Sequence, residues 1–268
     1  MTHVVTAALP YVNNTPHLGN LVQLISADVY ARYLRLRDDD VVFISGTDEH
    51  GTTTELLARE KDVEPRELVD HYYKRHKAIY DWFNLDFDCF GRTSSEENHD
   101  RTQAIFKALD RNGFIDEQTT TQLYDPEAEQ FLPDRYVEGT CPECHYDDAD
   151  GDQCENCGAL LEPTELINPV STISDAQPEE RETTHLYLKL DDLQSHLEDH
   201  VDTVGDTWTT NALETTKAWF DDGLEPRAIT RDLDWGVQVP KDGFEDKVFY
   251  VWFDAPIAYI RITESQRD

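Results

Sequence analysis

The sequence predicts an α/β fold in which a parallel sheet is interrupted by a small inserted metal-binding domain. Two of the observations lie near the amino terminus, where the apolar segments 4–9 and 41–46 are each followed by a helical pattern. Short apolar strands that alternate with helices are typical of a buried parallel sheet. The third observation is a set of two Cys-x-x-Cys pairs between residues 141 and 157.

The loop at residues 10–17 joins the first strand to a long amphipathic helix. Steps of three and four residues place one set of apolar side chains on a single face of about five helical turns: Leu18, Val22, Ile25, Val29, Tyr33 and Leu36. Free backbone N–H groups and the helix dipole favour an anion at such a junction. We expect Pro16 to open the first turn, His17 to donate a hydrogen bond and Gly19 to admit a ligand close to the backbone. The loop therefore predicts a phosphate site.

The second strand, residues 41–46, runs into the polar segment Asp48-Glu49-His50-Gly51-Thr52 and a helix that starts near residue 53. Ligands of doubly wound sheets bind at the carboxyl ends of adjacent strands, so Asp48 and His50 should face the same crevice as His17. A carboxylate there can pair with an ammonium group. Taken alone, Asp48 is better interpreted as the N-cap of the following helix.

Two further helical patterns, at residues 65–84 and 95–112, complete the first region of the chain. Cys89 lies between them in an apolar run and is expected in the core. The chain then becomes threonine-rich and extended until the cysteine pairs. After them, residues 184–190 alternate like a strand, helices follow from Asp192 and over 206–222, and residues 248–253 are expected to form a last strand.

The cysteine spacing predicts a zinc site. Two Cys-x-x-Cys pairs separated by a short polar segment can close four thiolates around one Zn²⁺ in a tetrahedron: Cys141, Cys144, Cys154 and Cys157. The alternative of four free thiols is disfavoured because residues 139–165 carry too little apolar material to fold without a metal. With four protein ligands no position is left for water, so the zinc is expected to be structural.

Composition limits the class of protein. The chain has 268 residues, 38% of them apolar, and no run that approaches the roughly 18 apolar residues of a membrane span. The first residues resemble no secretory signal, so we expect a cytoplasmic protein without a membrane partner. The net charge of −33 is spread along the chain, and we interpret it as adaptation to molar salt, with a halophilic archaeon as the expected source.

The loop residues carry a family resemblance. His17-Leu18-Gly19-Asn20 resembles the HIGH signature of class I aminoacyl-tRNA synthetases, which binds ATP, although Asn20 stands where the signature has histidine. The preceding segment Ala8-Leu9-Pro10-Tyr11 is similar to the one that methionyl-tRNA synthetases carry before this signature. The segment that starts at Asp48 is likewise similar to an Asp-x-His-Gly-Thr segment of that family. The resemblance implies a Rossmann-like (HUP-type) parallel sheet with an inserted zinc-knuckle connective domain. It divides the chain into residues 1–115, 116–183 and 184–268.

The same resemblance implies the site. It implies that ATP binds to Pro16, His17, Gly19 and Asn20. It also implies that three residues stabilise the negative charge that develops on the phosphate during the reaction: His17, Asn20 and Arg231. It assigns recognition of methionine to Leu9, Tyr11, Asp48, Trp252, Ala255, Pro256 and Tyr259. As an isolated observation, aromatic residues at a strand end more often indicate core packing than a pocket.

The implied activity is that of a methionine–tRNA ligase, with ATP and Mg²⁺, L-methionine and tRNA(Met), including the initiator tRNA, as its partners. Some family members carry a second cysteine pair, but Ser171 and Ser174 stand at that spacing here, so one zinc is expected. No Lys-Met-Ser-Lys-Ser loop occurs, and we expect residues 1–268 alone to be inactive for that reason. Two alternatives remain open, a class I synthetase for another apolar amino acid and a non-catalytic zinc-ribbon binding module.

Overall fold

The computed structural model describes residues 2–265 and has mixed α/β architecture. In chain order its strands are β1 (His3–Thr6), β2 (Val41–Thr47), β3 (Cys89–Arg92), β4 (Ile115–Asp125), β5 (Gln130–Phe131), β6 (Val137–Thr140), β7 (Ala149–Asp150), β8 (Ile167–Ser171), β9 (Glu179–Leu188), β10 (Arg227–Ala228), β11 (Thr230–Arg231) and β12 (Val248–Phe249). Its α-helices are α1 (Leu18–Leu36), α2 (Thr52–Glu60), α3 (Pro65–Trp82), α4 (Glu96–Arg111), α5 (Leu190–Val204), α6 (Thr210–Asp222) and α7 (Val251–Glu264).

The parallel sheet predicted from the sequence is confirmed. Strands β1, β2 and β3 lie side by side in that order, with Val5 opposite Phe43 and Ile44 opposite Cys89. The strands β1 and β2 are joined through α1, because a parallel crossover requires a helix-length connection. Cys89 is half-buried against Ile44, which agrees with its expected place in the core.

The packing face of α1 differs from the expected one. Leu18, Val22 and Leu36 are exposed, whereas the same helix buries a second apolar set: Leu21, Leu24, Ala31 and Leu34. Both sets obey the three- and four-residue steps of a helix, so periodicity alone could not distinguish them. Contact with the sheet selects the face that carries Leu21 and Leu24.

The inserted region is organised by one long antiparallel ladder. Strand β4 pairs with β9 from Ile115 opposite Leu188 to Tyr124 opposite Glu179. Between these strands the chain forms the small sheet β7-β6-β8, which carries the cysteine pairs. The expected domain boundaries near residues 115 and 184 both fall within the ladder, and the last three residues of the 184–268 unit lie outside the described residues. The division into three units stays a prediction.

The expected strand at residues 248–253 is wrong over most of its length. Strand β12 ends at Phe249, and α7 begins at Val251, so Trp252 lies in the first turn of a helix. Pro256 is inside this helix, where its missing N–H removes one backbone hydrogen bond. Burial of the α7 face that contains Ala258 and Ile262 against Ile44 offsets that loss.

Within residues 2–265, no helix combines the length and the apolar character that a membrane span needs. The acidic residues are distributed over the whole sequence, and their sum gives the net charge of −33. Repulsion between so many negative charges destabilises the folded protein. Salt weakens this repulsion, because the screening length falls to about 3 Å at 1 M ionic strength.

We therefore expect the melting temperature of the protein to rise steeply as KCl is increased from low to molar concentration. Circular dichroism melts at a series of KCl concentrations provide the measurement. A parallel series in sucrose, which is excluded from protein surfaces but does not screen charge, is the control. A melting temperature that KCl leaves unchanged would contradict the interpretation of the charge.

Candidate functional site

The loops that follow β1 and β2 are tied together at the carboxyl edge of the sheet. The backbone N–H of Asp48 donates to the carbonyl of Pro10 at 3.0 Å, and the N–H of Val12 donates to the carbonyl of Asp48 at 3.2 Å. Tyr11 and Asp48 thus form a parallel bridge beyond the ends of the strands. The pairing of β1 with β2 continues into the loops and brings both predicted segments to one place.

Asp48 is a buried carboxylate. Its exposed fraction is only 4%, and no hydrogen-bond partner for Oδ1 occurs among the residues that the structure describes. Burial, and then the negative charges of Asp254 and Glu49, raise the pKa of Asp48 well above its ordinary value. An incoming cation would relieve both the desolvation and the repulsion. Asp48 is therefore suited to pair with an ammonium group.

A second buried pair lies beside it. The ring nitrogen Nδ1 of His50 is 2.9 Å from Oδ2 of Asp254, and both side chains are almost completely inaccessible. The ring of His50 also lies against those of His99 and Trp235, with centroid distances of 5.3 and 5.5 Å. The pKa of His99 is lowered to about 4, by burial and then by the charges of His50 and Arg66. The contact between His50 and Asp254 joins the β2 loop to α7.

A cavity of about 330 Å³ opens at this junction. Tyr11, Arg231 and Trp252, all predicted from the sequence, line it together. The guanidinium carbon of Arg231 lies 3.9 Å from the centre of the Tyr250 ring. Arg135 and Asp152, from the inserted region, complete the wall. Nothing in the sequence pattern indicated these last two residues, because they reach the cavity only through the fold of the inserted domain.

The other residues predicted for methionine lie around the same junction. The hydroxyl of Tyr259 accepts a hydrogen bond from the backbone N–H of Leu9 at 3.1 Å, which links α7 to the β1 loop. Ala255 is buried one turn from Trp252, whereas Pro256 is exposed. The structure therefore brings Leu9 and Tyr259 into direct contact. It places none of four predicted residues in the wall of the cavity: Leu9, Ala255, Pro256 and Tyr259.

The predicted phosphate loop ends in a well-formed helix cap. His17 is the N-cap of α1, and its Nδ1 accepts the N–H of Gly19 at 3.0 Å while Asn20 Oδ1 accepts the N–H of His17 at 3.2 Å. Pro16 precedes the cap, so the expectation that it opens the first helical turn is wrong. A Cβ at position 19 would lie 2.8 Å from the ring of His17, so a larger residue than glycine would disturb this cap. His17 is exposed.

Sequence reasoning missed Glu49, which is completely buried between the two loops. Arg92 donates to both of its carboxylate oxygens at 2.9 and 3.0 Å, and the hydroxyls of Thr47 and Ser94 also donate to it. The indole N–H of Trp235 donates to its backbone carbonyl at 2.7 Å. This charge is fully compensated, in contrast to that of Asp48, so we assign it to holding the loop. The sequence offered one indication of the importance of Glu49, which is its position directly after Asp48.

The four cysteines of the inserted region converge. Their sulfur atoms all lie within 4.8 Å of one another, with 3.9 Å between Cys141 and Cys157 and 3.6 Å between Cys144 and Cys154. Tetrahedral bonds of about 2.3 Å to zinc correspond to sulfur separations of about 3.8 Å. The donor set and its spacing thus fit a zinc ion, and this group could hold one.

The serines at the spacing of a second cysteine pair have another partner. Ser171 and Ser174 both donate to Oδ2 of Asp125, at 2.5 and 2.6 Å, and the N–H groups of Glu127 and Ala128 donate to its Oδ1. Burial opposes ionisation of this carboxyl, but the four hydrogen bonds outweigh it and lower the pKa of Asp125 to about 2. Ser171 and Ser174 thus form a hydrogen-bonded clamp on Asp125.

A parallel sheet that turns through His-Leu-Gly-Asn into its first helix, with a four-cysteine domain inserted behind it, defines a class I aminoacyl-tRNA synthetase. The chain belongs to the methionyl branch of this class, because the family described as tRNA synthetases class I (M) matches residues 3–268. The resemblance stated from the loop residues is thereby confirmed.

Two relatives illustrate the match. The Methionine--tRNA ligase of Treponema denticola is 55% identical over 99% of this chain, and the cytoplasmic Methionine--tRNA ligase of Saccharomyces cerevisiae is 50% identical over 98%. The chain spans about a third of the length of these curated relatives, 34% and 35% respectively. The sources are a bacterium and a eukaryote, so they give no support to a halophilic archaeal origin.

Solved structures agree on the fold. A crystal structure of Mycobacterium tuberculosis methionyl-tRNA synthetase bound by methionyl-adenylate has a TM-score of 0.72 and 24% identity, and covers 97% of this chain and 47% of that one. A second structure of that enzyme with methionyl-adenylate has the same TM-score and 25% identity, over 97% of this chain and 46% of that one.

Proposed function

We propose that this chain forms the methionine-binding and zinc-binding part of a methionine–tRNA ligase. The observation that carries the proposal is the buried carboxylate of Asp48, whose Oδ1 has no hydrogen-bond partner among the described residues. The backbone of Asp48 pairs with that of Tyr11, which lines the cavity together with Trp252. A carboxylate suits the ammonium of an amino acid, and aromatic rings suit a flexible thioether. The relatives named as methionine ligases, and the neighbouring structures that hold methionyl-adenylate, support this choice of amino acid.

In this proposal Asp48 binds the ammonium group of methionine. The side chain of methionine is surrounded by four residues: Leu9, Tyr11, Trp252 and Tyr259. Ala255 and Pro256 shape the turn of α7 that presents Trp252. The hydrogen bond from Leu9 to Tyr259 keeps the two loops together at the pocket. The exposed position of Pro256 restricts it to this indirect role.

ATP is proposed to bind along the start of α1, with its phosphates near Pro16, His17, Gly19 and Asn20. Because Nδ1 of His17 accepts the N–H of Gly19, the neutral ring carries its proton on Nε2, which can donate to a phosphate oxygen. Mg²⁺ is expected to accompany ATP. Arg231 lies in the cavity wall, from which it could stabilise charge on the reacting groups.

The chemistry proposed needs no nucleophile from the protein. The carboxylate of methionine attacks the α-phosphate of ATP, which releases pyrophosphate and gives methionyl-adenylate. The terminal ribose hydroxyl of tRNA(Met), including the initiator tRNA, then attacks the methionyl carbonyl carbon, and AMP leaves with the electron pair of the broken acyl–oxygen bond. The protein positions the reactants and stabilises negative charge as it develops on phosphate. A cytoplasmic location without a membrane partner fits this role.

One structural zinc is proposed for the four cysteines. All four sulfur atoms are directed to a common centre, which leaves no position for a substrate or a water molecule. The clamp that Ser171 and Ser174 form on Asp125 supports a count of one zinc in place of two.

The proposal is tested by calorimetric titration of the chain, in molar KCl, with L-methionine and with leucine, isoleucine, valine and cysteine. We expect methionine to bind most tightly. Preference for another apolar amino acid would favour the alternative synthetase. Failure to bind either an amino acid or an adenylate analogue would favour a binding module without catalysis.

Residues 1–268 by themselves should give negligible methionine-dependent exchange of pyrophosphate into ATP. The only methionine in the sequence is Met1, so a Lys-Met-Ser-Lys-Ser loop is absent from it. In the family the lysines of that loop act on the ATP phosphates, and loss of even one charge-stabilising donor costs about 10²–10³ in rate. Robust exchange by this chain in molar KCl would show that its catalytic set is already complete.

A further inference from the structure

A buried polar cluster lies behind the strand that carries Arg231. It consists of five side chains from three strands or their ends: Thr183, His185, Thr230, Asp232 and Lys247. The ring of His185 lies 3.0 Å from the hydroxyl of Thr230 through Nδ1 and 3.0 Å from Asp232 through Nε2. The ammonium of Lys247 contacts Asp232 and donates to Thr183 at 2.9 Å. Neither the pocket nor the zinc site uses this cluster.

The cluster holds the two neighbours of Arg231. Thr230 and Asp232 flank it, and both turn into the cluster, where Thr230 also accepts the backbone N–H of Leu186 at 3.0 Å. Successive side chains of an extended strand point to opposite faces. Arg231 therefore projects to the other side, where it lines the cavity and stacks on Tyr250.

Backbone hydrogen bonds hold the residue that precedes this strand, since the N–H of Ile229 donates to Leu186 at 2.8 Å and the N–H of Tyr250 donates to Ile229 at 2.9 Å. The ladder itself is short. Strand β11 has two residues and pairs with β12 at two positions, Thr230 opposite Phe249 and Arg231 opposite Val248. A slip of one residue would turn Arg231 inward and Thr230 outward. A buried ion pair gives little net stability compared with apolar packing, but it can specify one arrangement of a strand.

We propose that His185, Thr230, Asp232 and Lys247 are positioning residues for Arg231. They anchor its neighbours on the buried face and so fix the direction in which its guanidinium enters the cavity. This inference rests on the proposed function, since Arg231 matters only if the cavity binds the substrate.

The test is a double-mutant cycle that joins Thr230→Val with Arg231→Ala in the 268-residue chain. Valine keeps the shape of threonine but removes the hydroxyl that contacts His185 and Leu186. The dissociation constant of a sulfamoyl analogue of methionyl-adenylate is measured by calorimetry. We expect Thr230→Val to weaken binding about 3- to 30-fold when Arg231 is present and not at all when it is alanine. Thr230→Ser should restore the parent affinity.

A merely structural role predicts a different result, because Thr230→Val would then weaken binding equally in both backgrounds. That outcome overturns the proposal. Thr184→Val is the matched control, since Thr184 lies on the same strand as His185 but bonds to Thr119 at 3.0 Å, away from the cluster. It should leave the affinity unchanged.

A second readout needs no ligand. The ¹⁵N-edited NMR signal of the Arg231 side chain is identified by its loss in Arg231→Ala. We expect this signal to shift or broaden in Thr230→Val and to remain as in the parent in Thr184→Val. An unchanged Arg231 signal in Thr230→Val overturns the proposal even if the chain fails to bind the analogue. Failure of the parent to bind that analogue bears on the proposed function alone.

Discussion

Replacement of Asp48 by asparagine should remove most of the affinity for methionine and at the same time raise the melting temperature of the ligand-free protein. Asparagine keeps the size of the side chain but cannot balance the charge of the substrate ammonium. Loss of one partner of a desolvated pair costs about 2–5 kcal/mol, or about 30- to 5,000-fold in affinity. Calorimetric titration in molar KCl measures this loss.

The gain in stability follows from the pKa of Asp48. Burial and the charges of Asp254 and Glu49 raise this pKa in the folded protein. The unfolded chain therefore releases the proton at a lower pH than the folded chain does. Stability is lost as the pH rises from the unfolded pKa through the folded pKa, and the loss is complete above both.

The amide introduced by Asp48→Asn cannot ionise, so this variant should be the more stable protein at pH 7. The advantage should vanish below about pH 4, where Asp48 is neutral in both states. Asp242→Asn, at an exposed carboxylate, is the control for the change in net charge. If the Asp48→Asn variant bound methionine like the parent, the ammonium site would have to lie elsewhere.

Opposite signs of the two effects distinguish a binding site from a structural carboxylate. Glu49, the next residue, has its charge compensated by Arg92, so its replacement should lower stability. Trp252→Ala should act on a different part of the substrate. It opens the wall of the cavity and should reduce the preference for methionine over leucine, while the ammonium contact of Asp48 remains.

Patterns within short segments of the sequence predicted those strands, helices and cysteine pairs that short segments specify by themselves. The strands β1 and β2, the helix α1 and the cysteine pairs were all found because periodicity and spacing are properties of short segments. The buried face of α1 was not, because apolar residues occur on both of its sides. The segment 248–253 was interpreted as a strand because β-branched and aromatic residues favour one, and packing of α7 on the sheet overrides that preference.

The site shows the same division. The family resemblance predicted Asp48, Tyr11, Arg231 and Trp252. The structure places the last three in the wall of one cavity and pairs the backbone of Asp48 with that of Tyr11. The contact of His50 with Asp254 joins residues that are 204 positions apart, and no short pattern encodes it. Asp232 stands next to Arg231 in the sequence, yet its role depends on His185 and Lys247, which only the tertiary structure brings near.

The largest expected effect is the loss of the metal. Cys154→Ser removes one of the four thiolates, and structural zinc contributes about 10–16 kcal/mol in small zinc-dependent peptides. We expect metal analysis to give about one zinc per parent chain and a value near zero for the variant. A value near two in the parent would contradict the single site and the clamp on Asp125.

The loss should be local in the first instance. Cys141 and Cys154 are completely buried and belong to one apolar cluster with Tyr136, Val137 and Leu161, so opening of the knuckles exposes that cluster. Hydrogen exchange should accelerate over residues 139–165, while β1, β2 and α1 keep their protection because they belong to a separate core. Cys89→Ser, at the half-buried thiol on β3, is the matched control and should keep its zinc. If Cys154→Ser left exchange over 139–165 unchanged, the segment would be folded by its own packing, and the four thiolates would have no structural role.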